Sequence, residues 1–523
     1  MTARWRTFLL FFALLVLKIV QTVPAIGTSI DGGYYTDVAE HVRDGDGLVS
    51  DVSLYHAGVP SFPHATPIYP LWPWLLGMLA RVVDIGILIH WLPAALYAAS
   101  LVGAFLLGRT LFPRAWWGGM HGGHLLALML GIHREYFVYT SLPYTEGLAM
   151  TLLMFALWRA VRATETWGSA AELGVWMALL VRTRSQLVIV PIAAAMAFAV
   201  RALRGDAART ITRALIALGI VAAALGAWWI RNRGIVADPG LGSILRFDQA
   251  QVTTVLSPVP VLYKTHGVLD FVLDRLRGVV VAYDATDWHH SYAYGFHMFQ
   301  WALPVALVAG GIQLARRRLR IAGDPFVVAF LAFVSLGALL SVHLSHKVYF
   351  GEWYFHRRHA VPCVVPFFLS LAYLLGSAGW TRGVALAIVG SSTALGAYAI
   401  GEEMQAVWTA PRHEPTDAVV AWLDDRLADE GPFVVASAAF TPTELAWRTD
   451  GIGYHWFYKR TSLTDLETMF DRLGARYLIF EPEKTKRWLF REDGFDEAFV
   501  RLPDEPGGFA VYRRRGRVET TTP

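Results

Sequence analysis

A ladder of apolar segments constrains this 523-residue chain more than any other feature. A helix that crosses a bilayer needs roughly 17–25 apolar residues. Runs of or near that length lie at 7–24, 86–111, 115–132, 145–163, 170–183, 186–203, 211–230, 299–315, 325–344, 360–378 and 383–400. They predict a polytopic α-helical membrane protein of about eleven spans. The shorter stretch 68–83, with two prolines and two tryptophans, reads as an interfacial helix. Composition agrees, because 17% of residues are charged where soluble domains average about 25%. The balance of 46 basic and 42 acidic residues argues against a nucleic-acid partner, and the single cysteine, Cys363, excludes an internal disulfide.

The basic residues orient the ladder. The N-terminus carries Arg4 and Arg6, and the first apolar run lacks a small-residue cleavage site, which predicts a retained helix. With that end cytoplasmic, the inner loops hold Arg109, Arg114, Arg159, Arg162, Arg201, Arg204, Arg209, Arg213, the block Arg316–Arg320 and Arg382. The first outer loop holds, over 26–66, one arginine, Arg43, against six acidic residues. This is the positive-inside bias. It places 26–85, 133–145, 231–298, 345–359 and everything after about 401 outside the cytoplasm.

Two domains follow: a transmembrane domain over 1–400, whose first outer loop is 26–85, and an extracytoplasmic domain over 401–523. From Arg412 the composition turns soluble-like. Helical patterns (TDAVVAWLDDRLADE, LTDLETMFDRLG) alternate with short apolar strands (PFVVASA, ARYLIFEP, GFAVYRR), which predicts a small α/β domain. It contains no glycine-rich phosphate loop, and packing over the outer face is its simplest role.

Ionisable groups at the ends of spans are costly and therefore mark function. Four clusters fall on the predicted outer side. Asp31 follows the first helix in Asp31-Gly32-Gly33-Tyr34-Tyr35, a carboxylate that backbone and substrate can approach, or else a helix-capping or turn aspartate. His133-Arg134-Glu135 precedes Glu146, which opens a helix where the dipole favours a carboxylate. Arg182 and Arg184 occupy a very short outer hairpin, against the charge rule. Arg231, after Trp228 and Trp229, and the run Tyr354–Pro362, with His356 and Arg358, add further outer cations. Guanidinium groups hold phosphate in bidentate fashion, so together they favour an anionic ligand over lipid headgroup contact.

In this order the motifs resemble the GT-C superfamily of polyprenyl-phosphate-sugar glycosyltransferases. The resemblance rests on D-G-G-Y-Y at 31–35, P-x-Y-P-L at 67–71, the acid at 146, T-R at 183–184, W-x-R-N at 229–232 and R-x-x-x-P at 358–362. It is nearest to the family 39-like group of protein O-mannosyltransferases and lipid A aminoarabinose transferases, and it covers about 1–400. The mannosyltransferase Asp-Glu pair is absent, since Gly32 follows Asp31, and Ile68-Tyr69-Pro70-Leu71 stands in place of His-Pro-Pro-Leu.

The resemblance implies an inverting transfer of a hexosyl or pentosyl group from a polyprenyl-phosphate donor to a glycan, lipid or protein acceptor, outside the cytoplasm. Asp31 and Glu146 are the expected catalytic residues. Arg184, Arg231 and Arg358 are expected to bind the donor phosphate, with Tyr34, Tyr35, His133 and His356 as further site residues. No metal ligand is assigned, and a divalent metal is compatible with the sequence without being required by it. Asp44-Gly45-Asp46 reads as a turn rather than a nucleotide-sugar metal site, and Asp287-Trp288-His289-His290 as surface. No G-x-S-x-G occurs, which excludes that hydrolase motif. The rival readings are a transporter or flippase of a lipid-linked saccharide, which would place charges near the midplane, and a polytopic scaffold for polymer assembly.

Overall fold

A computed structural model describes residues 3–23, 30–53, 62–66, 70–114, 116, 119–162, 166–205, 207–232, 324–344, 347–349, 352–354, 361–376, 380–409, 415–437, 441–456, 463–480 and 494–515. The chain opens with α1 (Ala3–Thr22) and α2 (Ile30–Asp44), followed by the short strands β1 (Val49–Ser50), β2 (Val52–Ser53) and β3 (His64–Ala65). Then come α3 (Leu71–Ala80), α4 (Ile85–Leu111), α5 (Gly122–Gly131), α6 (Arg134–Tyr139), α7 (Glu146–Val161), α8 (Trp167–Thr183), α9 (Ile189–Ala202) and α10 (Ala207–Asn232). Beyond residue 323 lie α11 (Pro325–Leu344), the hairpin β4 (Lys347–Tyr349) and β5 (Glu352–Tyr354), α12 (Val364–Gly376) and α13 (Trp380–Thr409).

Among the described residues, four helices are long and apolar enough to cross a membrane: Trp5–Thr22, Ile85–Leu111, Ala207–Asn232 and Thr381–Thr409. Their neighbours bury one large apolar core, with Leu101, Leu126, Leu153, Leu180, Val190 and Phe368 inside it. Helix starts follow local chemistry. The Asp84 carboxylate caps α4 by accepting from Ile87 N at 3.1 Å, and Thr166 caps α8 by accepting from Ser169 N at 3.2 Å. Small residues allow tight crossings: a Cβ on Gly108 would meet the Gly122 carbonyl oxygen at 2.3 Å, so only glycine fits where α4 passes α5.

The structure departs from the expected spans in one place. The run 115–132 forms a helix only over Gly122–Gly131, because Gly119 has φ of +81° and His121 caps the helix start. The expected interfacial helix is α3, which buries Trp72 and Leu76 on one face and exposes Trp74 and Met78 on the other. Trp72 Nε1 donates to Pro143 O at 2.8 Å, which fastens this helix inside the protein. Asp31 stands in the first turn of α2, so the expected loop start is helical despite Gly32 and Gly33. The span expected at 299–315 lies outside the described residues.

The C-terminal region has α14 (Pro415–Glu430), β6 (Phe433–Ser437), α15 (Thr441–Ala446), β7 (Ile452–Trp456), α16 (Leu463–Leu473), β8 (Ala475–Phe480), α17 (Phe495–Ala498), β9 (Phe499–Arg501) and β10 (Ala510–Arg514). Its sheet runs β2-β7-β6-β8-β10-β9. The central strands β7, β6 and β8 are parallel, and β10 and β9 are antiparallel additions. The edge strand β2 comes from the segment after α2 and pairs with β7, Val52 opposite Tyr454. Tyr34 and Val38 of α2 share a buried cluster with Val419, Phe433, Tyr454 and Ile479. The C-terminal sheet and α2 are thus one packing unit.

Candidate active site

Asp31 is half-buried in the first turn of α2, where the helix dipole favours a carboxylate. One turn on, the buried Tyr34 hydroxyl shares a hydrogen bond with Thr66 Oγ1. Thr66 is a junction, since its amide donates to Leu48 O at 3.1 Å and its carbonyl accepts from Arg231 Nη1 at 2.9 Å. Arg231 also donates through Nη2 to Leu48 O at 3.1 Å and lies over the Trp228 ring, Cζ 4.8 Å from its centroid. The α2 segment and the end of α10 are thereby tied together across 165 residues of chain.

Glu146 opens α7 and is 2% exposed. Its Oε1 accepts from Arg184 Nη1 at 2.5 Å, where Arg184 ends α8. This revises one expectation from the sequence: Arg184 does not depend on a bound ligand to offset its charge, because α7 and α8 pack together and bring it a carboxylate. Arg182, one half-turn earlier, faces α10 instead. Its Nη2 donates to Ala224 O, and its Cζ lies 5.1 Å from the Trp228 centroid.

The loop before Glu146 is held by a buried lysine. Lys18 of α1 is 1% exposed and donates to Phe137 O at 2.5 Å, Ser141 Oγ at 2.6 Å and Gln21 Oε1 at 3.0 Å. All three ammonium donors are used, which is what makes such a burial tolerable. Nothing in the span patterns singled out Lys18.

Around α2 the electrostatics are distinctive. Burial pushes the Asp37 carboxyl up to about 7, and the neighbouring Asp51 adds to the rise. Burial also lifts Glu40 to about 8. His41 loses some basicity to burial, yet its contacts with Asp51 (3.2 Å) and Asp46 (3.1 Å) outweigh that and raise it to about 9. Burial lowers His64 to about 4. Asp37, His41 and Asp51 each offer a ligand atom, all within 4.8 Å of one another, and are the set among the described residues that could hold a metal. Sequence reading overlooked them, although Asp37 and His41 are four apart on one helix face.

Other expected residues have plainer places. His133 caps α6, its Nδ1 accepting from Tyr136 N at 3.4 Å. Tyr35 is half-buried against the apolar cores. Gly45 turns the chain at φ +102° after Asp44, and Arg43 pairs with that aspartate, so the Asp44-Gly45-Asp46 segment is a turn. His356, Arg358 and 287–290 lie outside the described residues. Asp31, Glu146, Arg184 and Arg231 occupy the ends of α2, α7, α8 and α10.

The fold is similar to those of several solved glycosyltransferases. The oligosaccharyltransferase AglB of Archaeoglobus fulgidus, solved with an inhibitory peptide and a dolichol-phosphate, superposes with a TM-score of 0.55 at 12% identity, over 98% of this chain and 75% of that one. ArnT of Cupriavidus metallidurans gives 0.52 at 11% identity, over 98% of both chains. The mycobacterial arabinofuranosyltransferase AftD gives 0.52 at 16% identity, over 99% of this chain and 40% of that longer one. No family model matches the chain, and no curated protein matches it in sequence.

Proposed function

We propose that the protein is a GT-C-type glycosyltransferase that moves a sugar from a polyprenyl-phosphate donor to an acceptor hydroxyl on the extracytoplasmic side of a membrane it crosses about eleven times. The observation that carries this reading is charge held at helix ends that are far apart in sequence: Asp31 in the first turn of α2, the Glu146–Arg184 pair that joins α7 to α8, and Arg231 of α10 tied to the segment after α2. The fold similarity supports it, as does the dolichol-phosphate bound by AglB.

In the proposed reaction the acceptor oxygen attacks the anomeric carbon of the donor sugar. The bond from that carbon to the phosphate oxygen breaks, and its electron pair leaves with polyprenyl phosphate. Asp31 takes the acceptor proton as general base. Glu146, paired with Arg184, orients the acceptor, and the arginines Arg184, Arg231 and Arg358 stabilise the negative charge that grows on the leaving phosphate.

A flippase of lipid-linked saccharides is the alternative. Charge at helix ends, with a soluble sheet built onto α2, favours chemistry over passage through a midplane site. The test is to incubate the purified protein with radiolabelled polyprenyl-phosphate sugars and an acceptor mixture. Transfer predicts release of free polyprenyl phosphate together with a labelled product, whereas a flippase or scaffold releases neither.

A further inference from the structure

Arg182 is a cation without a counter-charge. Its Nη2 donates to Ala224 O, but its Nη1 is buried and has no hydrogen-bond partner. A buried donor left unmade is costly, and more so when charged, so native proteins rarely keep one without a ligand or water. Among the described residues no carboxylate pairs with Arg182 or Arg231, whereas Arg184, two residues away, has Glu146. Both guanidinium groups lie over the same indole, that of Trp228, with Cζ atoms 5.1 Å and 4.8 Å from its centroid. Ala224, Trp228 and Arg231 recur at helical spacing and share one face of α10. Arg182 reaches that face from the end of α8. Two like charges sharing one aromatic ring repel unless something negative joins them.

We propose that Arg182, with Arg231 and Trp228 between α8 and α10, joins Arg184 in holding the donor's phosphate, Arg184 also holding Glu146. This rests on the transferase reading. Purely structural clamping explains one hydrogen bond of Arg182, that to Ala224 O, and leaves Nη1 unexplained. A phosphate oxygen supplies the missing acceptor and the missing charge together. The guanidinium fork suits it better than a lysine would.

The shared chemistry is a phosphate monoester or diester, which a phospholipid headgroup could also bring. The test uses the full-length protein in phosphatidylcholine nanodiscs with a long-chain polyprenyl monophosphate as probe. Arg182→Gln is expected to weaken binding about tenfold or more, and Arg182→Lys to recover part of it. Arg162→Gln, at the opposite end of α7, is expected to bind as the wild type does. Arg182→Lys keeps a donor for Ala224 O and a positive charge, so it should fold even where the glutamine variant does not. The rise in its melting temperature on adding the probe should be smaller than in the wild type. An unchanged Kd and an unchanged rise in both Arg182 variants would overturn the proposal and leave a helix clamp. Excess phosphatidylglycerol should fail to displace the probe; equal competition would make this a headgroup site and overturn the donor assignment. Binding that depends on Arg182 in a protein that releases no polyprenyl phosphate from a labelled donor would support the site and sink the transferase reading instead.

Discussion

The Glu146–Arg184 pair is where a single residue has the largest consequence. Glu146 is 2% exposed and Arg184's side chain 13%, so each relies on the other for charge balance. Breaking such a pair on one side costs about 3–5 kcal/mol, because a buried charge is left behind. Glu146→Gln and Arg184→Met should each lower the melting temperature strongly, and the double variant should recover much of the loss. Additive losses would mean the pair is not coupled. The sequence marked both residues, since each is an ionisable group at the end of an apolar run. It could not show that they meet, because the contact depends on how α7 and α8 pack, which no local pattern encodes. Arg182 was equally visible as a charge, yet only the position of Trp228 on α10 distinguishes it from Arg184.

At the scale of elements, α2 is the part that everything else holds. Gly77 of α3 is the point of closest approach, where a Cβ would meet Ala39 O at 2.4 Å and Val42 at 2.7 Å. Gly77→Ala should therefore push α2 away, at a stability cost of about 1–3 kcal/mol. Turnover should fall further than melting does, because Asp31 moves with the helix. Normal turnover would show that α2 need not be fixed. The histidines give α2 a pH window. His41, raised to about 9, contributes stability that is full below its usual 6.5 and is lost as pH rises through 9. His64, lowered to about 4, has the opposite sign, its contribution being lost as pH falls from 6.5 through 4. Hydrogen exchange of the α2 amides, corrected for intrinsic rates, should speed up above about pH 9. In His41→Gln that acceleration should disappear; its persistence would assign it to another group. The strand β2 has two residues and lies far from β7 in sequence, so its place in the sheet had no readable signal, whereas the patterns of β6, β8 and β10 were plain from their apolar runs.

For the whole molecule, four of the described helices are long and apolar enough to cross a membrane, and an α/β unit follows α13. The helices α4, α7, α8, α10 and α11 follow the apolar runs of the sequence closely. The sidedness rests on the arginines alone, and it is testable. A reporter fused after Pro523 should read outside the cytoplasm and one inserted at 316–320 should read inside. The reverse result would move the proposed site to the wrong face.

Turnover of Asp31→Asn tests the central claim most directly. The amide keeps the size of the side chain and its place in the first turn of α2, and loses only the base. Purified variant and wild type, given the same labelled polyprenyl-phosphate sugar and acceptor, should bind donor alike and melt alike, while transfer falls by about 10²–10⁴-fold. Near-normal transfer by the variant would contradict the account, because the acceptor proton would then go elsewhere and Asp31 would not be the catalytic base.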